Sequence, residues 1–282
     1  MVEVSSSILS VNRGEESKTF FALEKAKTDY FHIDVMDGKF VKRNTYTKMF
    51  EYASYIKRIS NVPLDVHLMV EDVENAIDEF SALEPNTITF HYEACRDKDE
   101  VIKFVNMIKG YHCKVGISVK PETDVEKIYE FLPYIHNVLI MTVEPGKGGQ
   151  TLLPDMLEKI KKLREYIDKE DLEIDIEVDG GINLKTAPEV KKVGANILVA
   201  GTAILAAKDY KVIIDELKCV NGDGDFWQLL PEGTAFWQKS CQKSPSPLTV
   251  FTIFFNSTNI TFRMSSNTSI SAMPNKQMIN IF

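Results

Sequence analysis

From residue 4 to residue 218, short apolar runs alternate with longer segments whose apolar residues recur at helical spacing. The runs predict strands near 4–9, 30–35, 63–69, 86–91, 113–119, 136–142, 173–179 and 195–200. Between them, helices are expected near 15–27, 45–60, 72–83, 97–109, 123–132, 153–168, 184–193 and 203–217. In 157–167 the residues Leu157, Ile160, Leu163, Tyr166 and Ile167 share one helical face. Pro63, Pro121 and Gly194 fall where elements should start or stop. Eight strand-then-helix units in this length predict an α/β fold, a closed parallel (β/α)8 or TIM barrel. The competing fold is an open doubly wound sheet. Polar candidates at the carboxyl ends of strands two, three and seven favour the barrel, because closure gathers those ends around one centre.

The pattern stops at Lys218. Only Asp223, Asp225, Glu232, Lys239, Lys243, Arg263 and Lys276 are charged beyond it, and both tryptophans, Trp227 and Trp237, lie there. The expected organisation is therefore a barrel domain over 1–218 and an irregular C-terminal tail over 219–282, disordered or loosely packed. Within the tail, 248–255 is strand-like and aggregation-prone.

Composition is that of a soluble globular chain, with 44% hydrophobic and 26% charged residues. A net charge of −8 argues against nucleic acid as a main partner. No apolar run is long enough for a membrane span. Cys95, Cys113, Cys219 and Cys241 fall at no metal-like spacing and predict no disulfide framework. The N-terminus lacks the basic and apolar stretches of a signal peptide, so a cytoplasmic location is expected.

The candidate chemistry sits at strand ends. His32 and Asp34 are two residues apart in 31–38 and so face the same side of a strand. The run 64–69 offers His67, and 174–181 ends in Asp179 followed by Gly180 and Gly181. Two His and two Asp near strand exits make a plausible site for one divalent metal ion, with Zn, Fe, Mn and Co all compatible. Gly146, Gly148 and Gly149 follow the sixth strand, Gly180 and Gly181 the seventh, and Gly201 and Thr202 the eighth. Successive glycine clusters let backbone N–H groups approach a phosphate. An added Cβ at Gly148 or Gly181 should therefore weaken phosphate binding while leaving the fold intact. Met36, Met69 and Met141 near strand exits suit a dry floor under a reacting carbon. His91 could face the same cavity, His136 belongs to the opposite end, and His112 reads as a turn residue.

Residues 4 to about 205 resemble the ribulose-phosphate 3-epimerase family. The matching runs are 7–10, 32–38, 65–69, 141–150, 177–181 and 200–204, in the family's order and spacing. The resemblance implies that His32, Asp34, His67 and Asp179 bind a catalytic divalent ion, and that Asp34 and Asp179 are the acid/base pair. It implies substrate contacts from Ser7, from Met36, Met69, Met141 and His67, and from the glycine loops. The implied reaction is metal-dependent epimerisation at C3 of a ketose phosphate, D-ribulose 5-phosphate to D-xylulose 5-phosphate through an enediolate. A homo-oligomeric isomerase acting on a small phosphorylated ketose is expected. The loop 40–45 lacks the family's usual proline and asparagine order, and Lys147 replaces an aromatic residue of the phosphate loop. Those departures leave a hexulose 6-phosphate such as allulose 6-phosphate as the alternative substrate. A phosphosugar decarboxylase on the same barrel would carry Lys where His67 stands. An aldolase would need an inward strand Lys, and Lys120 lies past the strand-five exit.

Overall fold

The computed structural model describes residues 2–219, and the backbone of 251–256, 259–264 and 278–281. Eight parallel strands pair in chain order: β1 (Glu3–Ser7), β2 (Tyr30–Met36), β3 (Leu64–Met69), β4 (Thr87–His91), β5 (Lys114–Val119), β6 (Asn137–Met141), β7 (Asp175–Asp179) and β8 (Ile197–Ala200). β8 pairs back onto β1 and closes the barrel. Each strand begins and ends within two residues of its expected position. The helices are α1 (Glu16–Lys25), α2 (Tyr46–Ile59), α3 (Val73–Ser81), α4 (Lys98–Gly110), α5 (Met156–Lys169), α6 (Ala187–Lys192), α7 (Thr202–Leu205) and α8 (Tyr210–Lys218).

Two helical expectations change. The segment expected as a helix over 123–132 is a 3₁₀ helix, Val125–Tyr134, with Pro133 inside it. Proline has no N–H to give and crowds the preceding turn, which disfavours regular α-helix there. The segment expected over 203–217 breaks into α7 and α8. The Asp209 side chain accepts hydrogen bonds from the N–H groups of Lys211 and Val212, so it caps a new helix instead of continuing the old one.

Strand alternation divides the interior into two regions. Phe31, Ile33 and Val35 of β2, with Leu64, Val66 and Leu68 of β3, are buried in the layer between strands and helices. Burying each such side chain stabilises by roughly 1.5–3 kcal/mol. The intervening residues His32, Asp34, Met36, Asp65, His67 and Met69 point into the barrel, in register with one another. The barrel centre is tightly filled. A Cβ at Gly116 of β5 would stand 2.1 Å from Thr89 Oγ1, so only glycine fits there.

Beyond the barrel, β9 (Phe251–Asn256), β10 (Asn259–Met264) and β11 (Met278–Ile281) form an antiparallel sheet in the order β10-β9-β11. It falls within the second of two compact units, Met1–Leu230 and Pro231–Phe282. Its β-branched and aromatic residues favour strands. The strand-like reading of 248–255 meets β9, whereas its two partner strands were unread in the sequence pattern. Trp227, Trp237 and residues 248–250 lie outside the described residues. Among the described residues no helix is long and apolar enough to cross a membrane. Among the described residues, Cys95 and Cys113 are free thiols.

Candidate active site

The four expected metal ligands converge. His32 and Asp34 come from β2, His67 from β3 and Asp179 from the last position of β7. One ligand atom from each lies within 4.8 Å of the others. His32 Nε2 is 3.4 Å from Asp34 Oδ1, His67 Nδ1 is 3.7 Å from the same oxygen, and His67 Nδ1 is 3.9 Å from Asp179 Oδ2. Four ligands at metal–ligand distances of about 2.1 Å in a tetrahedron stand about 3.4 Å apart, so the group already has nearly the required span. His32 Nε2 and His67 Nδ1 are also buried with no hydrogen-bond partner among the described residues. Orphaned buried nitrogens are costly, and two of them facing two carboxylates fit a divalent cation.

Each imidazole is held from behind. His32 Nδ1 lies 2.6 Å from Asp65 Oδ2, and the Ser5 hydroxyl donates to that same oxygen. An acceptor at Nδ1 keeps the hydrogen there and leaves the lone pair on Nε2, toward the site. His67 Nε2 lies 2.9 Å from His91 Nε2, and His91 Nδ1 lies 3.1 Å from Glu93 Oε2. Asp34 is fixed by the Ser7 hydroxyl, which donates to Oδ2 at 2.8 Å, and by the Thr45 hydroxyl, which donates to the Asp34 carbonyl.

Electrostatics separate the two candidate acid/base groups. Burial opposes ionisation of Asp34, but His32 and then His67 outweigh it and hold its pKa far below the usual carboxylate range. Burial and the Asp34 charge instead push Asp179 up to about 7. Asp179 also keeps 20% of its side-chain surface open, against 5% for Asp34, and so is the more accessible of the two. Opposed environments of this kind assign different protonation states to paired carboxylates. Burial lowers His67 to about 4, which keeps the ring neutral. Burial also works against a charged His32, yet Asp65 and Asp34 raise it well above its ordinary value.

A cavity of ≈ 280 Å³ opens above this group. Ser7, Met36, Met69, Met141, Asp34 and Asp179 line it, and the three methionines are buried at its floor. The expected glycine positions line it as well: Gly146, Gly148 and Gly149 after β6, Gly180 and Gly181 after β7, and Gly201 with Thr202 at the start of α7. These loops meet, since a Cβ on Gly148 would lie 3.7 Å from Ser10 Oγ and one on Gly149 3.8 Å from Thr202 Oγ1. Gln150 Nε2 donates to the carbonyls of Glu144 and Lys147 and ties the first loop together. Among the described residues lining the cavity, Lys147 is the one cation. His67 and His32 do not line it; they lie fully buried beneath.

The two glycine substitutions anticipated from sequence prove unequal. Gly181 has φ +69°, and a Cβ there would come within 2.4 Å of the Leu152 backbone nitrogen. Alanine at 181 would distort the loop itself. A Cβ at Gly148 would make only ordinary contacts, 3.7 Å to Ser10 Oγ and 3.9 Å to Leu9, so Gly148→Ala is the informative variant. It should raise the Michaelis constant for a phosphorylated substrate by about tenfold, the loss of one charge-assisted N–H contact, with folding unchanged. An unchanged constant would make Gly148 only a turn residue.

His91 is buried inside the barrel but touches His67 and not the cavity. His136 Nδ1 accepts from the Val115 N–H near the strand starts, and His112 is a turn residue with φ +61°. Sequence reasoning missed Asp65, Glu93 and Glu177. Glu177 Oε2 accepts from Asn137 Nδ2, and burial next to Asp65 pushes its pKa up to about 8.

Residues 3–205 match the sequence profile of the Ribulose-phosphate 3 epimerase family. The chain is 38% identical over 218 residues to the ribulose-phosphate 3-epimerase of Methanocaldococcus jannaschii, covering 77% of this chain and 90% of that protein. It is 37% identical over 219 residues to the enzyme of the same name from Bacillus subtilis, covering 77% and 99%. Its fold is similar to that of 3-hexulose-6-phosphate synthase from Salmonella typhimurium, with a TM-score of 0.55 at 15% identity, covering 77% and 97%. The matched span contains every site residue described above, and the chain belongs to the Ribulose-phosphate 3 epimerase family, a family of isomerases.

Proposed function

We propose that the chain catalyses metal-dependent epimerisation at C3 of D-ribulose 5-phosphate to D-xylulose 5-phosphate. The observation that carries this reading is the meeting of Asp34 and Asp179 with two orphaned histidine nitrogens under one glycine-rimmed cavity. His32, Asp34, His67 and Asp179 would hold one divalent ion, Zn, Fe, Mn or Co. That ion supplies the Lewis acidity that makes a C–H beside a carbonyl removable near neutral pH. Inversion needs one group to take the C3 proton and another to deliver a proton to the opposite face. Asp34 and Asp179, from strands on either side of β1 and β8, are the cavity carboxylates grouped with His32 and His67, whereas Glu144 lies on the loop after β6. Ser7 orients Asp34 through its hydrogen bond and presents its hydroxyl region to the substrate. The methionine floor excludes water from the reacting carbon, and the backbone N–H groups of the glycine loops receive the phosphate.

A hexulose 6-phosphate such as allulose 6-phosphate is the second reading, because Lys147 replaces the aromatic cover that the resemblance leads one to expect. Schiff-base chemistry has less support: Lys120 Nζ sits 4.1 Å over the Phe40 ring, and Lys120 does not line the cavity. Parallel assays of metal-loaded enzyme on both sugar phosphates test the reading, which requires faster turnover of ribulose 5-phosphate. Preference for the hexulose would move the assignment to the second reading. The same proposal carries a cytoplasmic, homo-oligomeric enzyme of a soluble metabolite.

The proposal places catalysis wholly within residues 1–218. Among the described residues, none that lines the cavity lies beyond Ala203, and β8 closes on β1. A chain ending at Lys218 is expected to keep its activity and gain solubility. Loss of activity in a folded, metal-loaded truncation would give 219–282 a working role.

A further inference from the structure

We propose that Glu93 and His91 are positioning residues that set the tautomer of His67, and thereby decide whether His67 can ligate a metal. This inference rests on the metal assignment above. His91 closes β4, and Glu93 lies just past it in the 3₁₀ turn Tyr92–Ala94. Glu93 Oε1 accepts from the Lys120 backbone N–H at 2.8 Å, and Oε2 faces His91 Nδ1 at 3.1 Å. An ionised carboxylate only accepts, so His91 Nδ1 carries the hydrogen. In the neutral ring His91 Nε2 is then an acceptor. It lies 2.9 Å from His67 Nε2, which must therefore be the N–H partner. The remaining nitrogen, His67 Nδ1, is left with a bare lone pair, and it is the one aimed at Asp34 and Asp179. The polarity of the whole chain is thus dictated by a carboxylate two residues outside the barrel strand.

Glu93→Gln reverses this polarity at almost constant volume. Two donors, the Lys120 N–H and His91 Nδ1–H, would meet a side chain with one carbonyl. The backbone N–H cannot change, whereas His91 can switch tautomer. The glutamine carbonyl would take Lys120 and its NH₂ would face His91. His91 Nε2 then carries the hydrogen, His67 Nε2 becomes the acceptor, and His67 Nδ1–H points into the metal site. His91→Gln has the opposite consequence, because its carbonyl can still accept from His67 Nε2–H while its NH₂ turns toward Glu93.

The test measures zinc affinity by chelator competition in both variants, together with long-range ¹H–¹⁵N correlation of the histidine rings in metal-free protein. Glu93→Gln should lose about 10–100-fold in affinity, the usual size of an outer-sphere effect, and show His67 as the Nδ1–H tautomer. His91→Gln should stay within about threefold of the parent. A purely structural role predicts the reverse order, since His91 is fully buried and stacks on His67. Equal losses in both variants, or unchanged affinity and tautomer in Glu93→Gln, would overturn the proposal. So would His67 Nδ1–H in the parent protein, a result that needs no variant to fold. If the parent binds no zinc, the metal assignment fails, and the ring tautomers still decide the relay separately.

Discussion

Asp34→Asn and Asp179→Asn are each expected to lower turnover by at least ~10²-fold, the usual size of a general acid/base contribution. Asparagine keeps the shape of the carboxylate but can neither take a proton from carbon nor return one. The two variants should differ in their side effects. Asp34 accepts from the Ser7 hydroxyl and faces both histidines, so its amide would also disturb the hydrogen bonding around His32 and His67. Asp179 has fewer partners and a pKa already pushed up to about 7 by burial and Asp34. Its replacement should leave folding nearly untouched. Metal content must be measured beside turnover, since either change removes a ligand. Near-parental epimerisation by either purified, metal-loaded variant would remove that residue from the proton-transfer pair.

Stripping the protein with a chelator should lower activity by at least ~10²-fold, and a divalent ion should restore it. The buried, unpartnered His32 Nε2 and His67 Nδ1 carry this expectation, because nothing else among the described residues satisfies them. Binding should also tighten as pH rises from 6 to 8. Asp179 and His32 both have raised pKa values, so each must release a proton before ligating, and protons compete more strongly at low pH. His67, lowered to about 4 by burial, adds no such competition in this range. Full activity after exhaustive chelation, with metal absent by elemental analysis, would contradict the metal dependence.

Most of the barrel and the meeting of the four candidate ligands were legible in the sequence because both rest on period-two alternation. The rule that put His32 and Asp34 on one face also puts Asp65 beside His67 and Glu177 beside Asp179. Three carboxylates around one buried imidazole need the Ser5 and Asn137 partners, and the period-two pattern does not show those. Glu93 was less legible. It lies past the end of β4, and its role depends on the Lys120 N–H brought beside it by β4–β5 pairing. The difference between Gly148 and Gly181 likewise depends on a backbone torsion and on Leu152, which only the folded loop reveals. The break before α8 could have been read from Asp209, a good N-cap residue, had the apolar spacing not run through it.

The most direct test of the central claim follows the hydrogen on C3 of ribulose 5-phosphate by NMR in deuterated water, using metal-loaded enzyme. Removal and return of that proton by two carboxylates predicts xylulose 5-phosphate with deuterium at C3 and no exchange at C4 or C5. Asp179→Asn and the metal-stripped protein should both suppress the exchange. Formation of xylulose 5-phosphate without deuterium at C3, or no exchange at all in metal-loaded enzyme, would contradict the proposed proton transfer.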